Sequence, residues 1–250
     1  MSVLRRSFGL SAAIAALSVL PTVAASQSYD WEGFYAGATL GGALYSAEAS
    51  ELTDQITNDS PSIETFVPSY GISAHYNWVP FDDNLVLGAE LDITFGLLNE
   101  DFISTNAAGD TGFNYENSWD SVISLRARAG VTNGNLHSFI AGGPAFANAK
   151  FTTSIVDPGQ ENQECGVPMG LTCAEVDETL TGVSVGAGME YAFREDWIAK
   201  FEIMHFAMPS VSAPLTDSGN PLCDGVNDEE CIVSYSSSAT EFRFGFSYKF

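Results

Sequence analysis

Positive charge is scarce in this chain. Nine Lys and Arg face 32 Asp and Glu, and the formal net charge is −23. A polyanion of this strength repels phosphate backbones, so nucleic acid is excluded as a partner. Histidine is scarcer still, with only His75, His137 and His205, which leaves little material for imidazole-based metal sites or proton transfer. Apolar runs are absent beyond the first 25 residues, so nothing after them encodes a transmembrane helix. Cysteine is limited to positions 165, 173, 223 and 231.

The one apolar run that exists lies at the N-terminus. Arg5 and Arg6 give a basic start, Leu10 to Leu20 is rich in Ala and Leu, and Val23-Ala24-Ala25 supplies small residues for cleavage. The run is too short to span a bilayer and reads as a secretory signal peptide over 1–25. No Cys sits near the cleavage point, so lipoprotein processing is not expected. Residues 26–250 then form one domain.

What replaces long apolar runs is alternation. In the last ten residues, Phe242, Phe244, Phe246, Tyr248 and Phe250 alternate with Glu241, Arg243, Gly245, Ser247 and Lys249. Period two means a β-strand with one greasy and one polar face. The same pattern recurs, giving strand candidates over 34–45, 70–78, 85–97, 119–132, 136–151, 179–193, 197–206 and 240–250. Asn133-Gly134-Asn135 reads as a tight hairpin turn, because Asn and Gly tolerate positive φ. Pro144, inside the fifth candidate, predicts a bulge or irregularity there.

The connections alternate strictly between long and short. Eight strands joined in this way predict an all-β fold: an eight-stranded antiparallel up-and-down transmembrane β-barrel. A sheet in lipid has no water to satisfy its edge, so it must close on itself. Aromatic girdles are expected at both rims: Phe34, Trp78, Phe81, Phe193, Trp197 and Phe250 at the short-turn end, and Tyr45, Phe95, Trp119, Phe151 and Phe206 at the other. A soluble β-sandwich with an aromatic core is the rival architecture.

Export places both termini in the periplasm, so the four long connections (46–69, 98–118, 152–178 and 207–239) face outward. They carry twenty acidic residues and no Lys or Arg, which predicts a polyanionic crown.

Several stretches resemble the small OmpA-like and opacity-type outer-membrane barrel proteins. They are Trp31-Glu32-Gly33-Phe34-Tyr35-Ala36-Gly37, Gly88-Ala89-Glu90-Leu91-Asp92, Leu125-Arg126-Ala127-Arg128-Ala129-Gly130, and Gly186-Ala187-Gly188-Met189-Glu190-Tyr191-Ala192-Phe193 followed by Trp197. The terminal Phe250, in register with Tyr248 and Phe246, is similar to the signal read by the barrel assembly machinery. The resemblance implies an integral protein of a Gram-negative outer membrane, in contact with its lipid and lipopolysaccharide. It implies no single activity, since the family holds surface antigens, structural barrels, adhesins and small channels. The chain stops at strand eight, so the peptidoglycan-binding domain of larger relatives is not expected.

Chemistry is sought in four places. Inside the barrel, Glu90, Asp92, Arg126, Arg128, Glu190, Lys200, Glu202, Glu241 and Arg243 all fall on the polar phase at similar heights. Buried charges must pair, so a layered ion-pair network is expected, serving either as a plug or as a gate that rearranges to pass ions. In the loops, Cys165 and Cys173 form one C-x7-C pair and Cys223 and Cys231 another. In an exported protein these read as disulfides, one within each loop being the simplest connectivity and a bridge across loops the alternative. Zinc would need further ligands, and no His lies nearby.

The acidic connections are candidates for divalent cations such as Ca²⁺ or Mg²⁺, bridged loosely to lipid head groups, with solvated charge as the simpler reading. Asp224 to Glu230 is the densest acidic run and lacks EF-hand spacing. Enzymatic lipid A modification is the rival class. It would need a His and a Ser at the outer rim, where His205 and Ser210 are the only pair, with Pro209 between them. The expectation is therefore no enzyme and no cofactor.

Overall fold

The computed structural model describes residues 29–51, 62–80, 84–96, 99–105, 112–156, 172–217, 220–221 and 232–250. The proposed signal peptide, Phe81, Cys165, Cys223, Cys231 and the Asp224–Glu230 run lie outside these residues.

The described residues form twelve strands: β1 Gly33–Glu51, β2 Ser62–Trp78, β3 Leu85–Phe95, β4 Asn99–Thr105, β5 Gly112–Asn133, β6 Leu136–Val156, β7 Thr172–Ala192, β8 Trp197–Ala207, β9 Val211–Pro214, β10 Thr216–Asp217, β11 Asn220–Pro221 and β12 Ile232–Lys249. No helix occurs among the described residues. Every pairing is antiparallel, and the main circuit runs β7-β6-β5-β3-β2-β1-β12-β8, with β8 returning to β7. The protein is a closed eight-stranded antiparallel barrel.

Two of the eight staves are broken. The first continues from β3 into β4, which takes up the pairing with upper β5. The break falls at Gly96, whose φ of 83° suits a residue without a Cβ. The second runs from β8 into β9, which takes up the pairing with upper β12. The pair β10 and β11 lies outside the circuit, with Thr216 and Asp217 against Cys173 and Thr172 of β7.

The strands outrun the sequence-based expectation. A tilted strand needs about 9–11 residues to cross a bilayer, whereas β5 has 22 and β6 and β7 have 21 each. Much of the segments expected to be loops is therefore paired strand that carries the barrel beyond the membrane. One base joins the crown in consequence. Lys150, on the upper part of β6, pairs with Glu175 of β7 at 3.1 Å, and that bond lifts the pKa of its ammonium.

Outward residues of the middle barrel are apolar: Leu40, Ile72, Leu91, Leu125, Ile140 and Val185 are all exposed. The periplasmic girdle forms as expected, with Phe34, Trp78, Phe193, Trp197 and Phe250 exposed. At the outer girdle only Phe95 of the five expected residues faces outward. Tyr45, Trp119, Phe151 and Phe206 are at most 1% exposed and fill the barrel. Outward aromatics at that level are instead Phe66, Tyr70 and Phe146, with Phe95 stacked on Tyr70 at 5.6 Å between ring centres.

For Trp119 the cause is a β-bulge. The β5–β6 register shifts between Trp119 and Ser121, so the extra residue, Asp120, puts Trp119 on the inner phase of a strand whose lower half points Ile123 and Leu125 outward. The bulge is thus at Asp120 and not at Pro144. Around Pro144 the ladder only skips, opposite Leu125 and Arg126, and resumes in the same register, as expected where a residue has no N–H to give.

The neighbouring Gly143 is tightly constrained, since a Cβ there would overlap the Leu125 carbonyl oxygen. Gly143→Val should cost about 1–3 kcal/mol by overpacking. A lower urea midpoint in the refolded variant would register it, and an unchanged midpoint would show that the two strands separate freely.

Candidate functional site

The interior is stacked in three layers, each set by which inward positions each strand supplies. At the periplasmic mouth, Trp31 folds under the barrel, 2% exposed, and its indole N–H donates to the Gly134 carbonyl at 3.2 Å. Trp31, Tyr35, Val86, Ala192 and Ile198 pack together there. The Tyr35 hydroxyl donates to the Trp31 carbonyl, and the Tyr35 ring stacks on His75 at 4.7 Å. Tyr29 lies below, edge-on to Trp31, and burial raises the pKa of its phenol.

The middle layer is charged. β3 supplies Glu90 and Asp92, β5 Arg126 and Arg128, β7 Glu190, β8 Lys200 and Glu202, and β12 Glu241 and Arg243; all nine point inward and are at most 3% exposed. Adjacent strands put opposite signs side by side: Glu90 is registered with Arg126, Glu190 with Lys200, and Glu202 with Arg243.

The contacts also cross the lumen. Glu90 meets Lys200 at 2.6 Å, Arg126 at 3.0 Å and Arg128 at 3.4 Å. Glu202 meets Arg126 at 2.6 Å, Arg243 at 2.7 Å and Lys200 at 3.0 Å. Arg243 reaches Asp92 at 2.9 Å and Glu241 at 3.8 Å. Towards the periplasm, Glu190 is held by Arg128 at 2.6 Å and lies 2.9 Å from His137 and 3.9 Å from His75. The Arg128 guanidinium sits over the Phe139 ring, 4.0 Å from its centre.

Sequence reasoning did not assign His137, Ser69, Thr94 or Phe139 to this layer. The Ser69 hydroxyl donates to Glu241 at 2.7 Å and the Thr94 hydroxyl to Asp92 at 3.1 Å. Their inward phase is the signal: each occupies the same face of its strand as a neighbouring interior residue. The layer holds five carboxylates and four cations, so a proton on one carboxyl or one imidazole makes it neutral. Its oxygens already face cations at short range, which leaves them poorly placed to ligate a metal, and no metal-ligating cluster occurs among the described residues.

Above the charges the interior turns apolar. Tyr45, Trp119, Val122, Phe151, Leu180, Met204, Phe206 and Tyr235, with several alanines, form one buried cluster through the outer half of the barrel. Trp119 stands edge-on to Tyr45 at 5.2 Å, and Phe151 stacks on Tyr235 at the same separation. This layer holds Tyr45, Trp119, Phe151 and Phe206, which the sequence reading places in the outer girdle.

The remaining candidates are placed as follows. Cys173 lies at the start of β7 and is disulfide-bonded. His205 points outward from β8 and lies 3.0 Å from the Thr240 hydroxyl. Phe246, Tyr248 and Phe250 face outward at the C-terminus, where Tyr248 stands edge-on to Trp197 and Phe250 packs near Phe34.

Residues 12–250 match the family model described as outer membrane protein beta-barrel domain. The chain is 28% identical over 242 residues to the 31 kDa outer-membrane immunogenic proteins of Brucella melitensis and Brucella suis, covering 92% of this chain and 88% of each relative. Among solved structures it is similar to Ail, the attachment invasion locus protein of Yersinia pestis, at 11% identity and a TM-score of 0.41, covering 88% of this chain and 99% of that one. It is also similar to the outer membrane protease OmpT of Escherichia coli, at 11% identity and a TM-score of 0.47, covering 90% of this chain and 99% of that one.

Proposed function

Because this chain belongs to the outer-membrane β-barrel family and is integral to the outer membrane, we propose that it acts as a closed surface barrel. Its lumen is a plug, and its working surface is the acidic crown of extended strands. The observation that carries this reading is the burial of the charged layer: nine ionisable side chains at mid-barrel have almost no access to water, and an apolar layer lies directly above them. An ion entering from outside would first have to shed its hydration shell in that apolar layer.

The crown supports the surface role. Among the described residues, Glu48, Glu64, Glu175, Asp177 and Glu178 sit on paired strands that project past the lipid, a platform for contacts with divalent cations, neighbouring lipopolysaccharide or an external partner. Disulfides at Cys165, Cys173, Cys223 and Cys231 brace it in this reading. The Brucella relatives are named as immunogenic, which fits exposure of such a crown. Residues 1–25 act as the export signal and the Phe246-Tyr248-Phe250 face as the assembly signal. No catalytic role is assigned, since the one outward His is paired with a Thr.

Single-channel conductance in a planar bilayer tests the proposal. The refolded mature protein should be silent, and Arg126→Ala and Glu202→Ala should introduce at most noisy, short-lived leaks. Discrete wild-type openings whose conductance changes in those variants would make the charged layer a gate and the protein a narrow ion channel.

A further inference from the structure

A cavity of about 550 Å³ opens at the periplasmic rim, outside the three interior layers. Tyr29 and Asp30 form one wall, the turn after β7 (Phe193 to Asp196) another, and Lys249 and Phe250 a third. The turn is fixed by its backbone: the amides of Phe193 and Arg194 donate to the Trp197 carbonyl, and the Trp197 amide donates to that of Arg194. The Lys249 amide donates to the Asp196 carbonyl, tying the turn to the C-terminal strand.

The cavity has two characters. On the lipid side, Phe193 and Phe250 expose their rings. On the aqueous side it is ionic. The Lys249 ammonium is already committed, 3.0 Å from the Asp30 carboxylate and over the Tyr29 ring. The Arg194 guanidinium has no ion-pair partner among the described residues, although Glu195 and Asp196 follow it in the turn. An uncommitted cation and two exposed carboxylates, at the level where acyl chains give way to water, match a group that carries both charges.

We propose that this cavity binds the phosphoethanolamine-type headgroup of a phospholipid in the periplasmic leaflet. Arg194 takes the phosphate, for which a guanidinium fork is well shaped. The Glu195 and Asp196 carboxylates take the ammonium. Phe193 and Phe250 flank the first carbons of the acyl chains. The volume lies within the usual range for small-ligand sites and suits a headgroup. Charge sets the selectivity: Arg194 and Lys249 stand against Asp30, Glu195 and Asp196, so a purely anionic headgroup meets excess negative charge and an amine-bearing one does not.

Native mass spectrometry of the mature barrel, released from detergent containing phosphatidylethanolamine, phosphatidylglycerol or soluble phosphoethanolamine, tests this. Retention of one phosphatidylethanolamine is expected, with affinity roughly tenfold above phosphatidylglycerol, a difference of about 1.4 kcal/mol. Arg194→Ala should weaken that binding about tenfold, and Glu195→Gln should shrink the preference between the two lipids. Both positions lie on an exposed turn, and the heat-dependent gel shift of a folded barrel confirms that each variant is intact. Equal retention of the two lipids, or no loss in Arg194→Ala, would overturn the proposal. Soluble phosphoethanolamine binding as tightly as the lipid would overturn the lipid assignment in favour of a periplasmic solute.

Discussion

Arg243→Met should lower the unfolding free energy of the barrel by about 3–5 kcal/mol, the usual cost of stripping one partner from a buried ion pair. Arg243 is fully buried and serves Glu202, Asp92 and Glu241 at once. Met roughly fills the volume, so the loss isolates charge from packing. Glu202 keeps Arg126 and Lys200, whereas among the described residues Asp92 keeps the Thr94 hydroxyl and Glu241 that of Ser69. Adding Asp92→Asn should recover part of the loss, because the double variant no longer buries that unpaired carboxylate. Urea unfolding in lipid vesicles, followed by tryptophan fluorescence, gives both numbers. A loss below about 1 kcal/mol, the range of solvated pairs, would mean that water reaches this layer and that the plug reading is wrong.

Trp119→Ala should cost about 3–5 kcal/mol, as large aromatic truncations in cores do. Trp119 is 0% exposed and central to the apolar layer. A loss this large would establish that the outer half behaves as a hydrophobic core, while a loss near zero would establish that the layer is loosely packed or wet. Trp119→Phe separates volume from ring stacking, with an expected loss about half as great. The same unfolding assay serves, read by circular dichroism because the substitution removes a fluorophore.

The membrane-spanning part of the fold was legible because lipid enforces a strict code. Leu85 to Phe95 and Phe242 to Phe250 alternate cleanly because one face of each strand must be apolar along its whole length. The same code explains what was missed. Above the bilayer neither face is required to be apolar, so Ser46 to Glu51 and Ile232 to Ser238 look like loop although they pair as strand. The inward aromatics were misread for a different reason: an aromatic at a strand end says nothing of its phase. Tyr45 shares parity with the buried Tyr35 and Ala43, which could have been counted. Trp119 lies past a bulge, which parity alone cannot reveal. Membership of the charged layer followed from phase and height. Its pairings did not, because contacts such as Arg126 to Glu202 and Lys200 to Glu90 reach across the barrel and depend on stagger and side-chain reach.

The closing seam carries a consequence for how the molecule comes into being. β1 pairs with β12 from Tyr35 opposite Lys249 to Glu51 opposite Val233, so the first stave is held by the last. No early part of the chain can bury its edges on its own, and the half-built sheet has no stable resting state in lipid. Local contacts reward this chain little until its final strand arrives, which makes maturation slow and nearly all-or-none. Everything upstream of that moment must be kept soluble and uncommitted, and a strongly acidic chain that repels itself is well suited to waiting.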